Sequence, residues 1–156
     1  MRKSLVMTFT MLLLTSCQQP DFLDTQGHGY RYADLEGKWL IVNYWATWCG
    51  PCIKEIPELN KIAAEHQDDV QVFGVNFDEP DADEMQAQVE KMKIEFPVYA
   101  IDPAVELGIT KPDVLPTTFV FSADGNLHAT LTGPQTEDSL LGVLGIAIVE
   151  EHLSER

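Results

Sequence analysis

Two cysteines separated by two residues, Cys49 and Cys52, stand where an apolar run stops and a helical pattern begins. No other feature of the chain restricts the fold as tightly. The run Trp39-Leu40-Ile41-Val42-Asn43-Tyr44-Trp45 is nearly continuous in apolar, β-branched and aromatic residues, the pattern of a buried central strand. Beyond it, Ile53, Ile56, Leu59, Ile62 and Ala63 recur at helical spacing and predict a helix to about His66. Pro51 suits the first helical turn, where its missing N–H has no intrahelical partner. Pro57 falls inside and should kink the helix. A strand feeding a helix in this way puts Cys49 at the positive helix end, which favours thiolate over thiol. Helix geometry keeps Cys52 close enough to attack a mixed disulfide on Cys49 and release the substrate. The expected chemistry is therefore a redox-active Cys49–Cys52 disulfide, with no other cofactor. The pair could also supply half of a tetrahedral zinc site. No second Cys-x-x-Cys or close His pair completes one, and His28, His66, His128 and His152 are scattered, so no metal is expected.

The remaining pattern predicts an α/β sandwich with a mixed sheet. Val70 to Phe77 reads as a second strand. Asp81-Ala82-Asp83-Glu84 has the form of a capping box opening a helix to about Lys93, with Met85, Val89 and Met92 on one face. Val98 to Ile101 reads as a short strand and Pro103 to Leu107 as a helical turn. Thr117 to Phe121 and Asn126 to Leu131 flank Ser122-Ala123-Asp124-Gly125, a hairpin signal. Thr136 caps a last helix, with Glu137 and Asp138 suiting its dipole and an apolar run from Leu140 to Val149. Trp39 and Trp45 are expected in or near the core, and Trp48 on a substrate-facing rim.

The N-terminus reads as an address. Arg2 and Lys3 precede an apolar run from Leu5 to Leu14, shorter than the ~20 residues a spanning helix needs. Leu14-Thr15-Ser16-Cys17 resembles the lipobox of bacterial lipoproteins. The resemblance implies cleavage before Cys17, lipid on that residue and, because Gln18 rather than Asp follows, sorting to the outer membrane on its periplasmic side. The expected organisation is a signal peptide over 1–16, a lipidated Cys17 and polar tether over 17–29, and one domain over 30–156. The formal charge of −15, from 10 basic and 25 acidic side chains, disfavours nucleic acid as a partner. Three cysteines are too few for a disulfide scaffold.

Trp48-Cys49-Gly50-Pro51-Cys52 is identical to the thioredoxin active-site motif. The similarity continues through Asn43-Tyr44-Trp45-Ala46 upstream, and Pro57 and Leu115-Pro116-Thr117-Thr118-Phe119 downstream. It implies a thioredoxin-like fold over roughly 30–150, with Pro116 in cis beside the cysteines. Leu115 and Thr117 would join Trp48, Gly50 and Pro51 in contacting substrate. Thioredoxins carry a buried Asp six residues before the first cysteine, where this chain has Asn43. Instead, Cys52-Ile53-Lys54-Glu55-Ile56-Pro57 resembles the TlpA/ResA-like branch, which has a Glu three residues after the second cysteine. Positions three apart share a helix face, so Glu55 can serve Cys52 as acid/base if burial raises its pKa. The segment from Asp78 to Ala104 resembles that branch's central insertion.

These features imply an extracytoplasmic thiol-disulfide oxidoreductase, reducing cysteine-containing envelope proteins with electrons from a membrane thiol reductant. Thioredoxin, which shares the motif, sits at about −270 mV against about −120 mV for a strong oxidant. A thiol oxidase or isomerase of the same fold is the alternative. A peroxiredoxin-like peroxidase would show Pro-x-x-x-Thr-x-x-Cys, but Val42 and Ala46 hold those places before Cys49. A redox-inert binding module would have lost Cys49, Cys52, Glu55 or Pro116, and all are present.

Overall fold

The computed structural model describes residues 19–147. The signal peptide, Cys17 and the end of the apolar C-terminal run, Ile148 and Val149, lie outside them, as does His152. The elements are β1 (Phe22–Leu23), β2 (Gly29–Tyr30), β3 (Trp39–Trp45), α1 (Gly50–Glu65), β4 (Val70–Asn76), α2 (Ala82–Met92), β5 (Thr117–Phe121), β6 (Leu127–Thr132) and α3 (Glu137–Leu144). Strand order in the main sheet is β4-β3-β5-β6. β3 runs parallel to β4 and antiparallel to β5, and β6 closes a hairpin with β5. The sheet is therefore mixed, and the fold is thioredoxin-like.

β3 lies between β4 and β5 and is buried on both faces, which is why its sequence is continuously apolar rather than alternating. Alternation along the three central strands sorts their side chains into two layers. Ile41, Trp45, Val70, Val72 and Val120 pack with Ile56, Leu59 and Ile62 of α1, Met85 and Val89 of α2, and Leu140 and Leu144 of α3. Leu40, Val42, Tyr44, Phe73, Val75, Phe119 and Phe121 form the opposite layer. That second layer is closed by Phe22, Tyr30, Tyr99, Leu107 and Ile109, from outside the helices.

Residues 17–29 do not all serve as a tether. From Asp21 onward the chain forms the β1–β2 hairpin, tied down by Thr25 N–H to the Val98 carbonyl and Ala100 N–H to the Leu23 carbonyl. The cause is Asp24, a buried carboxylate accepting the Gln26 and His28 amides on Oδ1 and the His28 ring and Tyr30 hydroxyl on Oδ2. Phe22 stacks on Tyr30 and meets Phe73 and Tyr99, sealing the second layer.

The expected strand at 98–101 is reduced to isolated bridges, Val98 to Gly74 and Tyr99 to Asp24. Gly74 permits the first. A Cβ there would come within 2.9 Å of the Trp45 indole nitrogen and 3.1 Å of the Phe96 ring, so the 96–99 segment can lie on the β4 edge only beside a glycine. α2 starts as its capping signal predicts, with Asp81 Oδ1 accepting the Glu84 amide at 3.0 Å. α3 stops earlier than its apolar run suggests. Gly145 adopts φ +67° and caps the helix after Leu144, a conformation that favours glycine. Among the described residues no helix is long and apolar enough to cross a membrane.

Candidate active site

β3 delivers the chain to the end of the sheet, and Ala46-Thr47-Trp48 turns it into α1. Cys49 is the N-cap of α1, in an extended conformation with φ −84° and ψ 98°. The Cys52 amide donates to Cys49 Sγ at 3.2 Å, so the sulfur takes the place of a capping oxygen. An amide and a helix N-terminus aimed at one sulfur stabilise its negative form. Cys49 and Cys52 are disulfide-bonded, with Cα atoms 5.3 Å apart. The two are unequal in access: Cys49 retains 4% of its surface and Cys52 none. Gly50 and Pro51 are exposed beside them.

Trp48 is 65% exposed, on the rim next to Cys49. Its indole N–H donates to Asp78 Oδ2 at 2.9 Å, and its ring stands perpendicular to Phe77 at 6.4 Å. Trp45 is buried and Trp39 half-buried.

The Leu115–Pro116 peptide is cis. Pro116 is buried, and Leu115 packs against the cluster that contains both cysteines. Thr117, expected among the substrate contacts, directly follows Pro116. It is buried at the start of β5, and its hydroxyl donates to the Val114 carbonyl at 2.8 Å. Its side chain is therefore directed inside the protein, while Leu115 beside it is only half-buried.

Glu55 is 1% exposed, one turn below Cys52 on the inner face of α1. Asn43 Nδ2 donates to its Oε2 at 2.9 Å, and the Gln135 amide donates to its Oε1 at 3.0 Å. The Thr118 hydroxyl lies 3.5 Å from Oε1 and also accepts Asn43 Nδ2 at 2.9 Å. Burial pushes the Glu55 carboxyl above the ordinary range, and these three donors only partly offset it. Asn43 Oδ1 is buried with no partner. Asn43 thus stands where thioredoxins have an acid, and it holds an acid supplied by the next element.

Alternation puts Asn43 and Thr118 on the sheet face that α1 covers, and the two are directly paired across β3 and β5. The tie from Asn43 to Glu55 has no signal in the sequence, because strand register is not written in spacing. Gln135 carried no signal, since it acts through its main chain. Among the described residues, a cluster with metal-ligand proximity is formed by Glu65, His66 and Glu137, on the far end of α1 from the cysteines. Lys61 already pairs with Glu137 there, at 2.6 Å.

A dithiol-disulfide couple at the start of a helix, on a sheet of this topology and beside a cis proline, defines a thioredoxin-fold thiol-disulfide oxidoreductase. The chain belongs to the AhpC/TSA family, whose profile matches residues 11–130. Among similar proteins, the thiol-disulfide oxidoreductase ResA of Geobacillus kaustophilus is 31% identical over 124 residues, covering 78% of this chain and 71% of its own. The ResA of Bacillus cereus is 34% identical over 134 residues, covering 81% and 75%. A DsbF homologue from Corynebacterium diphtheriae matches in structure with a TM-score of 0.67 at 25% identity, covering 78% of this chain and 80% of that one. An exposed lipoprotein thioredoxin of Streptococcus pneumoniae shares the fold, with a TM-score of 0.69 at 24% identity over 82% and 98% of the two chains.

Proposed function

We propose that this protein is a reductase of protein disulfides, held on the periplasmic side of a membrane, the outer rather than the inner, by lipid on Cys17. The asymmetry of the cysteines carries the mechanism. Cys49 reaches the surface and receives the amide and the helix end, so it is the nucleophile. Its thiolate attacks one sulfur of a client disulfide, the client S–S bond breaks, and the displaced sulfur leaves as a thiolate. Cys52, enclosed behind it, then attacks Cys49 Sγ. The second client sulfur departs, and Cys49–Cys52 becomes the oxidised product. Glu55 accepts the Cys52 proton, its raised pKa bringing it nearer to that of a thiol. Trp48, Gly50, Pro51 and Leu115 form the surface against which the client chain lies, with Leu115 offering backbone groups to an extended segment.

Clients are cysteine-containing envelope proteins, and a membrane thiol reductant returns two electrons to the disulfide. Membership of the AhpC/TSA family does not redirect this reading to peroxidase chemistry. Val42 and Ala46, at the two positions where that reaction calls for Pro and Thr, are fully buried apolar residues. The decisive measurement is the potential of the couple, taken on the chain with Cys17→Ser by thiol trapping in glutathione and dithiothreitol buffers. A value at or below about −250 mV is expected, whereas about −120 to −180 mV would make the protein an oxidase or isomerase.

A further inference from the structure

Lys111 lies outside the motif yet ties the turn that contacts Trp48 to the segment leading into Leu115. Its Nζ donates to the Phe77 carbonyl at 2.8 Å and pairs with Glu79. It also sits 4.6 Å from the centre of the Phe77 ring and 3.9 Å from Asp102 Oδ2. Phe77, Asp78 and Glu79 form the turn after β4. Within it, the Phe77 amide donates to the Trp45 carbonyl and the Asp78 amide to Asn76 Oδ1. Glu79 adopts φ +49°, in the left-handed region where a side chain is disfavoured. This is the turn that holds Trp48, through Asp78 Oδ2 and the Phe77 ring. On its other side, Lys111 belongs to the 109–114 segment, four residues before Leu115.

We propose that Lys111 is a positioning residue of the client-binding rim. By clamping the 77–79 turn to the segment leading into Leu115–Pro116, it fixes the Trp48 indole beside Cys49 and sets how tightly a protein disulfide docks. The inference rests on Trp48 being a client contact. A lysine suits this place because one ammonium group can serve a carbonyl, a carboxylate and a ring face together. Its removal leaves Glu79 and Asp102 unscreened beside the turn and the Phe77 carbonyl without that donor.

The test compares Lys111→Met, Lys111→Arg and Trp48→Ala in the full chain. Insulin is the protein disulfide, and the indole N–H resonances report the tryptophans. Lys111→Met is expected to shift or broaden the Trp48 resonance and leave those of Trp39 and Trp45 in place. It should raise KM for insulin about threefold to tenfold, with kcat within about twofold, and Lys111→Arg should restore much of both. An unmoved Trp48 resonance and an unchanged KM in Lys111→Met overturn the proposal. If Trp48→Ala raises KM and Lys111→Met does not, the proposal fails alone. If Trp48→Ala leaves KM unchanged, the reading of Trp48 as a client contact fails first and takes the proposal with it. Should the Trp39 and Trp45 resonances collapse in Lys111→Met, Glu79→Gln removes the ion pair from the other side and decides by the same readouts.

Discussion

Glu55 shows what one side chain gains from a neighbour's choice of residue. A carboxyl enclosed beneath Cys52 is costly when ionised, and a second acid at position 43 would repel it. Asn43 instead donates to it, so Glu55 meets a neutral donor rather than a second carboxylate. The unfolded chain ionises Glu at about pH 4.3, whereas the folded value is raised. Wild type is therefore most stable relative to Glu55→Gln below the unfolded value, and it loses that advantage as pH rises through the folded one. Urea unfolding of the oxidised forms at a series of pH values checks the slope. In the proposed mechanism the same substitution removes the proton acceptor for Cys52. Resolution of a mixed disulfide with insulin should slow about a hundredfold near neutral pH, read by rapid quench and thiol trapping. Equal rates in the two proteins would remove Glu55 from the mechanism.

The β1–β2 hairpin has too few residues to hold its shape alone, and it persists because Asp24 satisfies its turn and its aromatic residues close the second layer. Burial pushes the Asp24 carboxyl up. Hydrogen bonds from the His28 amide and ring and the Gln26 amide outweigh that effect and leave it below the usual range. A depressed value contributes stability that is present above the unfolded pKa and lost as pH falls through the folded one. The Thr25 and Ala100 amides, which bind the hairpin to the body, should therefore lose protection from hydrogen exchange below about pH 4. Asp24→Ala should lower their protection by about 1–3 kcal/mol at neutral pH and flatten that acid dependence, with the β3 amides unaffected. Retained protection at Thr25 in this variant would show that the aromatic contacts alone hold the hairpin.

At the scale of the whole molecule, the β1–β2 hairpin opens at Phe22, a short stretch of sequence after Cys17. If Cys17 carries lipid, Cys17→Ser should move the protein from the membrane fraction to the soluble one without altering the Cys49–Cys52 potential. Recovery of both forms in the soluble fraction would count against the anchor. Much of this architecture was legible beforehand. Continuous apolar residues wrote β3, spacing at three and four wrote α1, and capping chemistry wrote the start of α2, because these are local preferences that a few neighbours enforce. The cysteine pair was legible for the same reason, since Trp48, Gly50 and Pro51 stand next to it in the chain. Gly145 ended α3 before its apolar run did, a local signal overshadowed by hydrophobic pattern. What no local pattern could decide was which distant groups meet. The Gln135 amide reaches Glu55 across 80 positions and Lys111 reaches the Phe77 carbonyl across 34. The sequence by itself determined the strand-turn-helix that sets Cys49 at the N-terminus of α1. Tertiary structure alone decided that Asn43, Thr118 and Gln135 surround Glu55, because register and packing, rather than propensity, bring those donors into one buried space.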